Sequence, residues 1–252
     1  MSTQISNRTH LIVSGIVAIL FLVITQVFAT PLPVFRFLIP AFALYVAGVG
    51  FYNQWYLKSK DQWNVWLWLR LPFFLLTWFG LFFLIPSGLG RGTFLLFSMP
   101  VIFFFESLVG NTGQQLGWNE FLLSCAALLL TLFGFSYYFI LPGVLYLAVV
   151  FLTVSILVRS SLELVPHDHM VKWIAALSLG LFTTEFFWAV SFLPLHYTAL
   201  AIFTFNVLYV LWIIYYHYLY KTLTRKQIQF HLFLALLLVV VMLISTPWSI
   251  QS

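Results

Sequence analysis

Charge is what this chain has least of. Only 7% of its 252 residues are Asp, Glu, Lys or Arg, against 63% hydrophobic and 20% aromatic. A soluble domain carries about 25% charged residues. A water-soluble fold of this size could not cover its surface with so few, so the composition excludes that class and points to the hydrocarbon of a bilayer as solvent. Cysteine is almost missing. The lone Cys125 lies inside an apolar run. It excludes an intrachain disulfide, no Cys/His zinc spacing accompanies it, and it reads as a small packed core residue. The formal charge of +5 comes from basic residues scattered along the chain rather than gathered on one face, which excludes nucleic acid as a partner. Long polar segments are also lacking. The longest, about 53–63 and 159–169, are too short to fold as soluble domains.

Catalytic signatures are missing as well. No glycine-rich phosphate loop occurs. Pro86-Ser87-Gly88 matches a fragment of the phosphatidic-acid type of lipid-phosphatase signature, but Leu89 stands where histidine is needed and the companion basic motif is absent. Lys172 opens a helix rather than sitting at its middle, which argues against a retinal Schiff base. Ser14-Gly15 lacks the context of a rhomboid nucleophile. Five histidines, His10, His167, His169, His217 and His231, fall on one predicted side of the membrane. Their spacing fits no ligand motif beyond the loose His167-x-His169, so neither a metal nor another cofactor is expected.

What the chain does have is long apolar runs. A spanning helix needs about 20 apolar residues, and nine stretches qualify: 11–29, 34–52, 64–85, 93–109, 118–136, 139–158, 170–192, 197–219 and 228–247. The first could be mistaken for a secretory signal, because Arg8 and His10 precede it and Val27-Phe28-Ala29 resembles a cleavage site. It is longer than a usual signal core, and a proline-marked turn follows, so it is expected to be retained as the first helix.

A Leu-Pro or Ile-Pro pair recurs at Leu32-Pro33, Ile85-Pro86, Leu141-Pro142 and Leu193-Pro194, with prolines 53, 56 and 52 residues apart. A fixed period implies a repeated unit, here two spanning helices joined by a tight turn. The fold expected is all-α: a polytopic integral membrane helix bundle of about nine transmembrane helices, arranged as four proline-turn hairpins plus a C-terminal helix, in a single domain over 1–252. The positive-inside rule supports the count. With the N-terminus cytoplasmic, Arg8, Lys58, Lys60, Arg159, Lys172, Lys221, Arg225 and Lys226 lie inside, with Arg70 early in the third span toward the same side. Arg91 lies outside and Arg36 just within the second span at its outer end. The C-terminus then lies outside, and the few loops favour a bacterial cytoplasmic membrane.

An ionisable residue in the bilayer costs at least about 2.5–3.5 kcal/mol at a helix centre and needs a reason. Arg70 lies 18 residues before Gly88 and Glu106 lies 18 after it. In antiparallel helices that places them at one depth, and an intramembrane Arg70–Glu106 ion pair is expected. Glu185 lies in the outer half of the seventh span. It is expected to face the bundle interior, either meeting Arg36 or lining a cavity with His196, and these three are the candidates for substrate binding or relay. Catalytic residues are not identified. Glu120 and Glu163 read as solvated, and Thr25, Gln26 and Asn206 as polar residues that bond across helices. The tryptophans Trp55, Trp63, Trp66, Trp68, Trp118 and Trp173 form an interfacial belt. The activity expected is that of a small transporter or permease-like protein for a lipid or other apolar substrate, with the bilayer itself as partner. A non-catalytic scaffold or assembly subunit is the alternative, and an intramembrane lipid-modifying enzyme using Glu185 and His196 the third reading.

Overall fold

The computed structural model describes residues 7–28, 35–60, 64–85, 89–109, 114–138, 142–163 and 165–245. Among them the chain is all-helical: α1 (Asn7–Phe28), α2 (Phe35–Ser59), α3 (Val65–Leu84), α4 (Leu89–Ser107), α5 (Gln114–Tyr138), α6 (Gly143–Ser161), α7 (His169–Val190), α8 (Tyr197–Leu219) and α9 (Arg225–Ser245). Seven of these nine are long and apolar enough to cross a membrane. The exceptions are α2, whose C-terminal part carries Asn53, Gln54, Lys58 and Ser59, and α3, whose apolar part is confined to Trp68–Leu84. The protein is an integral membrane protein built from helices, the form in which a spanning chain satisfies its own backbone polar groups.

The proline pairs can be followed only in part. Leu193-Pro194 lies in the bend between α7 and α8, Pro142 is the N-cap of α6, and Ile85 is the C-cap of α3. Leu32-Pro33, Pro86 and Leu141 lie outside the described residues. Three other prolines, Pro40, Pro72 and Pro100, sit inside α2, α3 and α4. Each removes a backbone donor, which membrane helices tolerate where neighbouring groups adjust.

The chain divides into two compact units, Met1–Glu120 and Phe121–Ser252. In the first, α1 packs mainly on α4 and also on α2, α2 on α3, and α3 on α4. Its core is aromatic: Phe21, Phe42, Phe74 and Phe82 are buried, with Phe42 stacked on Phe79 at 3.7 Å and Phe74 edge-on to Phe105 at 5.0 Å. Lipid is as apolar as these rings, so their association rests on close packing rather than on leaving water. Each aromatic pair contributes about 0.5–1.5 kcal/mol beyond area.

In the second unit α6, α7, α8 and α9 pack in sequence. From α5, Phe133 lies 4.0 Å from Phe187 and Phe121 4.5 Å from Trp212, centroid to centroid. The α6–α7 crossing is the tightest. A Cβ on Gly180 would collide with Ser155 Oγ and lie 3.2 Å from the Phe151 carbonyl oxygen. Small residues at such a crossing let two backbones approach, as usual between membrane helices. Cys125 is free and buried on α5, as a small core residue should be.

Candidate functional site

Antiparallel succession puts the start of α1 and the ends of α2 and α4 at one end of the first unit, and a buried polar cluster lies there. His10, from the first turn of α1, is 3% exposed, while Asn53 near the end of α2 and Glu106 near the end of α4 are both 0% exposed. Each falls on the buried face of its helix. On α2, Val46, Val49, Asn53, Tyr56 and Leu57 recur at intervals of three, four and one. On α4, Leu95, Ser98, Ile102, Phe105 and Glu106 do the same. Helical periodicity of 3.6 turns both stripes inward.

The cluster is connected but incompletely bonded. Asn53 Nδ2 donates to Glu106 Oε2 at 3.2 Å. His10 Nδ1 and the Tyr52 hydroxyl lie 3.1 Å apart, and the imidazole stacks on Tyr56 at 3.9 Å between centroids. The Glu106 backbone acts on His10, and its carboxylate acts electrostatically on Tyr45 and Tyr52. Three atoms remain without a hydrogen bond although buried: His10 Nε2, Asn53 Oδ1 and Glu106 Oε1. A fourth, Trp68 Nε1, belongs to a ring that lies 3.2 Å from where a Gly50 Cβ would be, on the same turn of α2. A buried polar group without a partner costs about 1–3 kcal/mol. Three such groups lie on three helices, in an interior of aromatic and aliphatic side chains.

The ionisable residues singled out from sequence are placed as follows. Glu106 is buried, and Asn53 on α2 donates a hydrogen bond to its Oε2. Arg70 is half-buried and acts electrostatically on Glu120. Glu185 is exposed on α7, which corrects the expectation that it faces the interior. The buried stripe of α7 runs through Ala176, Leu179, Gly180, Thr183 and Phe187. Glu185 is two residues from both Thr183 and Phe187, about 200° around the helix from each at 100° per residue. His196 is exposed and serves as the N-cap of α8, its Nδ1 lying 2.8 Å from Thr198 Oγ1. The side chain of Arg36 lies outside the described residues.

Two further expectations change. Thr25 bonds to the carbonyls of Phe21 and Leu22 in its own helix rather than across helices. Glu163 is not solvated; it forms a buried salt bridge with Arg159 one turn earlier. Arg159, 0% exposed, also donates from Nη2 to His169 Nδ1 at 3.0 Å and lies over the Trp173 ring, while Lys172 Nζ donates to the Glu163 carbonyl at 2.8 Å. His167 Nε2 meets the Leu219 carbonyl at 2.8 Å, tying the α6–α7 connection to the end of α8. These contacts use His167 and His169 as structural ties. Asn206 does bond across helices, from Nδ2 to the Ala235 carbonyl on α9 at 2.6 Å. Among the described residues, no three His, Cys, Asp or Glu side chains gather as metal ligands.

Sequence reasoning missed Asn53 and Tyr52 altogether. The signal was present, because the depth argument applied to Arg70 and Glu106 also places the start of α1 and the end of α2 at that level. Compared with protein-family models, with curated proteins and with solved structures, the chain matches none.

Proposed function

We propose that the protein is a small permease-like membrane protein that moves a lipid or other largely apolar substrate, and that the His10–Asn53–Glu106 cluster holds the substrate's polar end. The observation that carries this reading is the set of three unsatisfied polar atoms buried on three different helices at one end of the first unit. A purely structural network gains from bonding every member, since a half-satisfied one is worse than an apolar core. Leaving three atoms open is what a site with a ligand of its own requires. The surrounding aromatics suit an acyl or other apolar body, so one polar anchor within an apolar wall matches an amphiphile. In this reading the N-terminus is cytoplasmic and the C-terminus external, the cluster opens toward the cytoplasmic leaflet, and the Leu/Ile-Pro pairs mark the outer turns of successive hairpins in a bacterial cytoplasmic membrane.

The test is transfer of an acyl-chain-labelled phospholipid between leaflets of proteoliposomes. Wild-type protein should speed transfer over empty vesicles, and Glu106→Gln should slow it by about tenfold or more, the loss expected when one charge-assisted hydrogen bond is removed. Glu185→Gln should leave it unchanged. No acceleration by wild-type protein across a panel of head groups would refute the transport reading.

A second reading has one observation in its favour. Glu185 is exposed on a helix long and apolar enough to span a membrane, where a lipid-facing carboxylate is costly. A neighbouring protein offering a basic residue would relieve that cost, as in a scaffold or assembly subunit. Co-purification that is lost in Glu185→Ala but kept in Glu106→Gln would favour it.

A further inference from the structure

We infer that the turn between α8 and α9 holds the head group of an anionic phospholipid, with the acyl chains lying along α9. This inference concerns the second unit and does not depend on the transport reading. Charge carries it. The last acidic side chain in the sequence is Glu185, and after it come Lys221, Arg225 and Lys226 with no Asp or Glu among them. All three cations are exposed. No hydrogen bond or ion pair from another described side chain meets them. Arg159, Lys172 and Arg91, by contrast, are met by the Glu163 carboxylate, the Glu163 carbonyl and the Ile85 carbonyl. The α6–α7 connection does reach the end of α8, through His167 on the Leu219 carbonyl. Its Glu163 is engaged by Arg159, and its Asp168 makes no ion pair with the three cations.

The backbone holds these cations together. At the end of α8, Lys221 N–H donates to the Tyr218 carbonyl at 3.1 Å and Thr222 N–H to the His217 carbonyl at 3.0 Å. Lys221 takes the left-handed conformation that such an ending needs, with φ 54°. At the start of α9, Thr224 N–H donates to Gln227 Oε1 at 3.1 Å and Gln227 N–H to Thr224 Oγ1 at 3.3 Å. Arg225 and Lys226 then stand in a first turn that has no acid. Like charges gathered there repel one another, and a phosphate relieves the repulsion. The guanidinium can grip it with two parallel bonds, and the lysines add point charge. Helical spacing supplies the rest of the lipid site. Lys226, Phe230, Phe233 and Leu237 recur at intervals of four, three and four, and all are exposed, so they form one stripe. The side toward α8 is different: Ala235 and Met242 are buried, and Asn206 bonds the Ala235 carbonyl. From Lys226 to Leu237 the helix rises about 17 Å at 1.5 Å per residue, close to half of a hydrocarbon core about 30 Å thick. A cationic end followed by an apolar track one leaflet long matches an anionic phospholipid. A free phosphate would use only the end.

The experiment uses the full chain purified in detergent and stripped of lipid, with binding read by native mass spectrometry. The probes are phosphatidylglycerol and phosphatidylcholine of one acyl composition, inorganic phosphate and a polyglutamate peptide. Phosphatidylglycerol should bind about tenfold or more tightly than phosphatidylcholine, and the preference should shrink as salt is raised. Lys221→Gln, Arg225→Gln and Lys226→Gln should each weaken phosphatidylglycerol binding about fivefold, as for one basic residue near an anionic surface. The triple variant should lose most of the preference, and Lys58→Gln with Lys60→Gln should keep it. Phosphatidylglycerol, unlike phosphatidylcholine, should also slow amide hydrogen exchange over residues 220–228 of the wild-type chain, a local readout that stands even if a variant does not fold. Equal binding of the two lipids, or a preference that survives the triple variant, would overturn the inference. So would saturation by inorganic phosphate with no lipid preference, which makes this a free-anion site. Binding of the peptide in place of lipid would also overturn it, by making the turn a face for an acidic protein.

Discussion

At the scale of single residues, two buried charges differ in how many groups meet them. Glu106 receives a hydrogen bond from Asn53, whereas Arg159 is met by Glu163, by His169 and by the face of Trp173. Bonding of that density marks a structural anchor. Arg159→Met would leave Glu163 buried without its cation, and breaking one partner of a buried pair costs about 3–5 kcal/mol. The double variant Arg159→Met with Glu163→Leu should recover much of that loss, because the stranded charge is gone too. Thermal unfolding in detergent checks this. A double variant no more stable than the single one would mean that His169 and Trp173, not the ion pair, carry the energy. Glu185→Gln, which removes the charge from an exposed position of an apolar helix, should not destabilise.

The residue scale is also where sequence reading fell short. That Glu106 would be buried was legible, because a carboxylate in an apolar run has few places to go. That Asn53 would donate to it was not, because depth along a helix follows from counting but rotation about it does not. Glu185 shows the same limit. Residues 170–192 are apolar on every face, so no polar stripe told which side of α7 meets its neighbours. Only packing through Gly180 and Thr183 decides it.

At the scale of elements, the nine helices among the described residues follow the nine apolar runs closely, since a run of that length in a bilayer has no other way to satisfy its backbone. Their pairings depend on small residues that the runs do not advertise. Gly180 is the clearest case. It lets α7 rest against Ser155 and the Phe151 carbonyl of α6, and backbone on one side of the contact cannot move aside. Gly180→Leu should drive the helices apart at a cost of about 1–3 kcal/mol or more, the range for overpacking a filled core. Ala176, one turn earlier on the same buried stripe, should pack less well as a consequence. A cysteine pair placed across the α6–α7 crossing would report this directly: cross-linking should be efficient in the wild-type background and weak with Gly180→Leu. Undiminished cross-linking together with unchanged stability would show that the crossing has slack.

At the scale of the whole molecule, the distribution of positive charge is the strongest statement the chain makes about its orientation. Eight basic residues fall on the ends that the positive-inside reading proposes as cytoplasmic. Lys58 lies in the last turn of α2 and Lys60 just after it, Arg159 lies in the last turn of α6, Lys172 in the first turn of α7, Lys221 follows α8, and Arg225 and Lys226 open α9. Cytoplasmic retention of Lys and Arg is a rule about short loops near the ends of spans, and every one of these positions qualifies. If all nine helices cross, reporters fused after Lys60 and after Arg225 should read cytoplasmic and one at the C-terminus external. The prediction is sensitive because α2 and α3 are not among the seven helices that qualify as spans by length and hydropathy. Were that pair to dip into the membrane and return without crossing, the Lys60 reporter would no longer share a side with the Arg225 reporter. The cluster of His10, Asn53 and Glu106 would lose its common depth at the same time, because Asn53 is near the end of α2. A cytoplasmic reading at the C-terminus would refute the odd number of crossings, and a split between Lys60 and Arg225 would place the fault in α2 and α3.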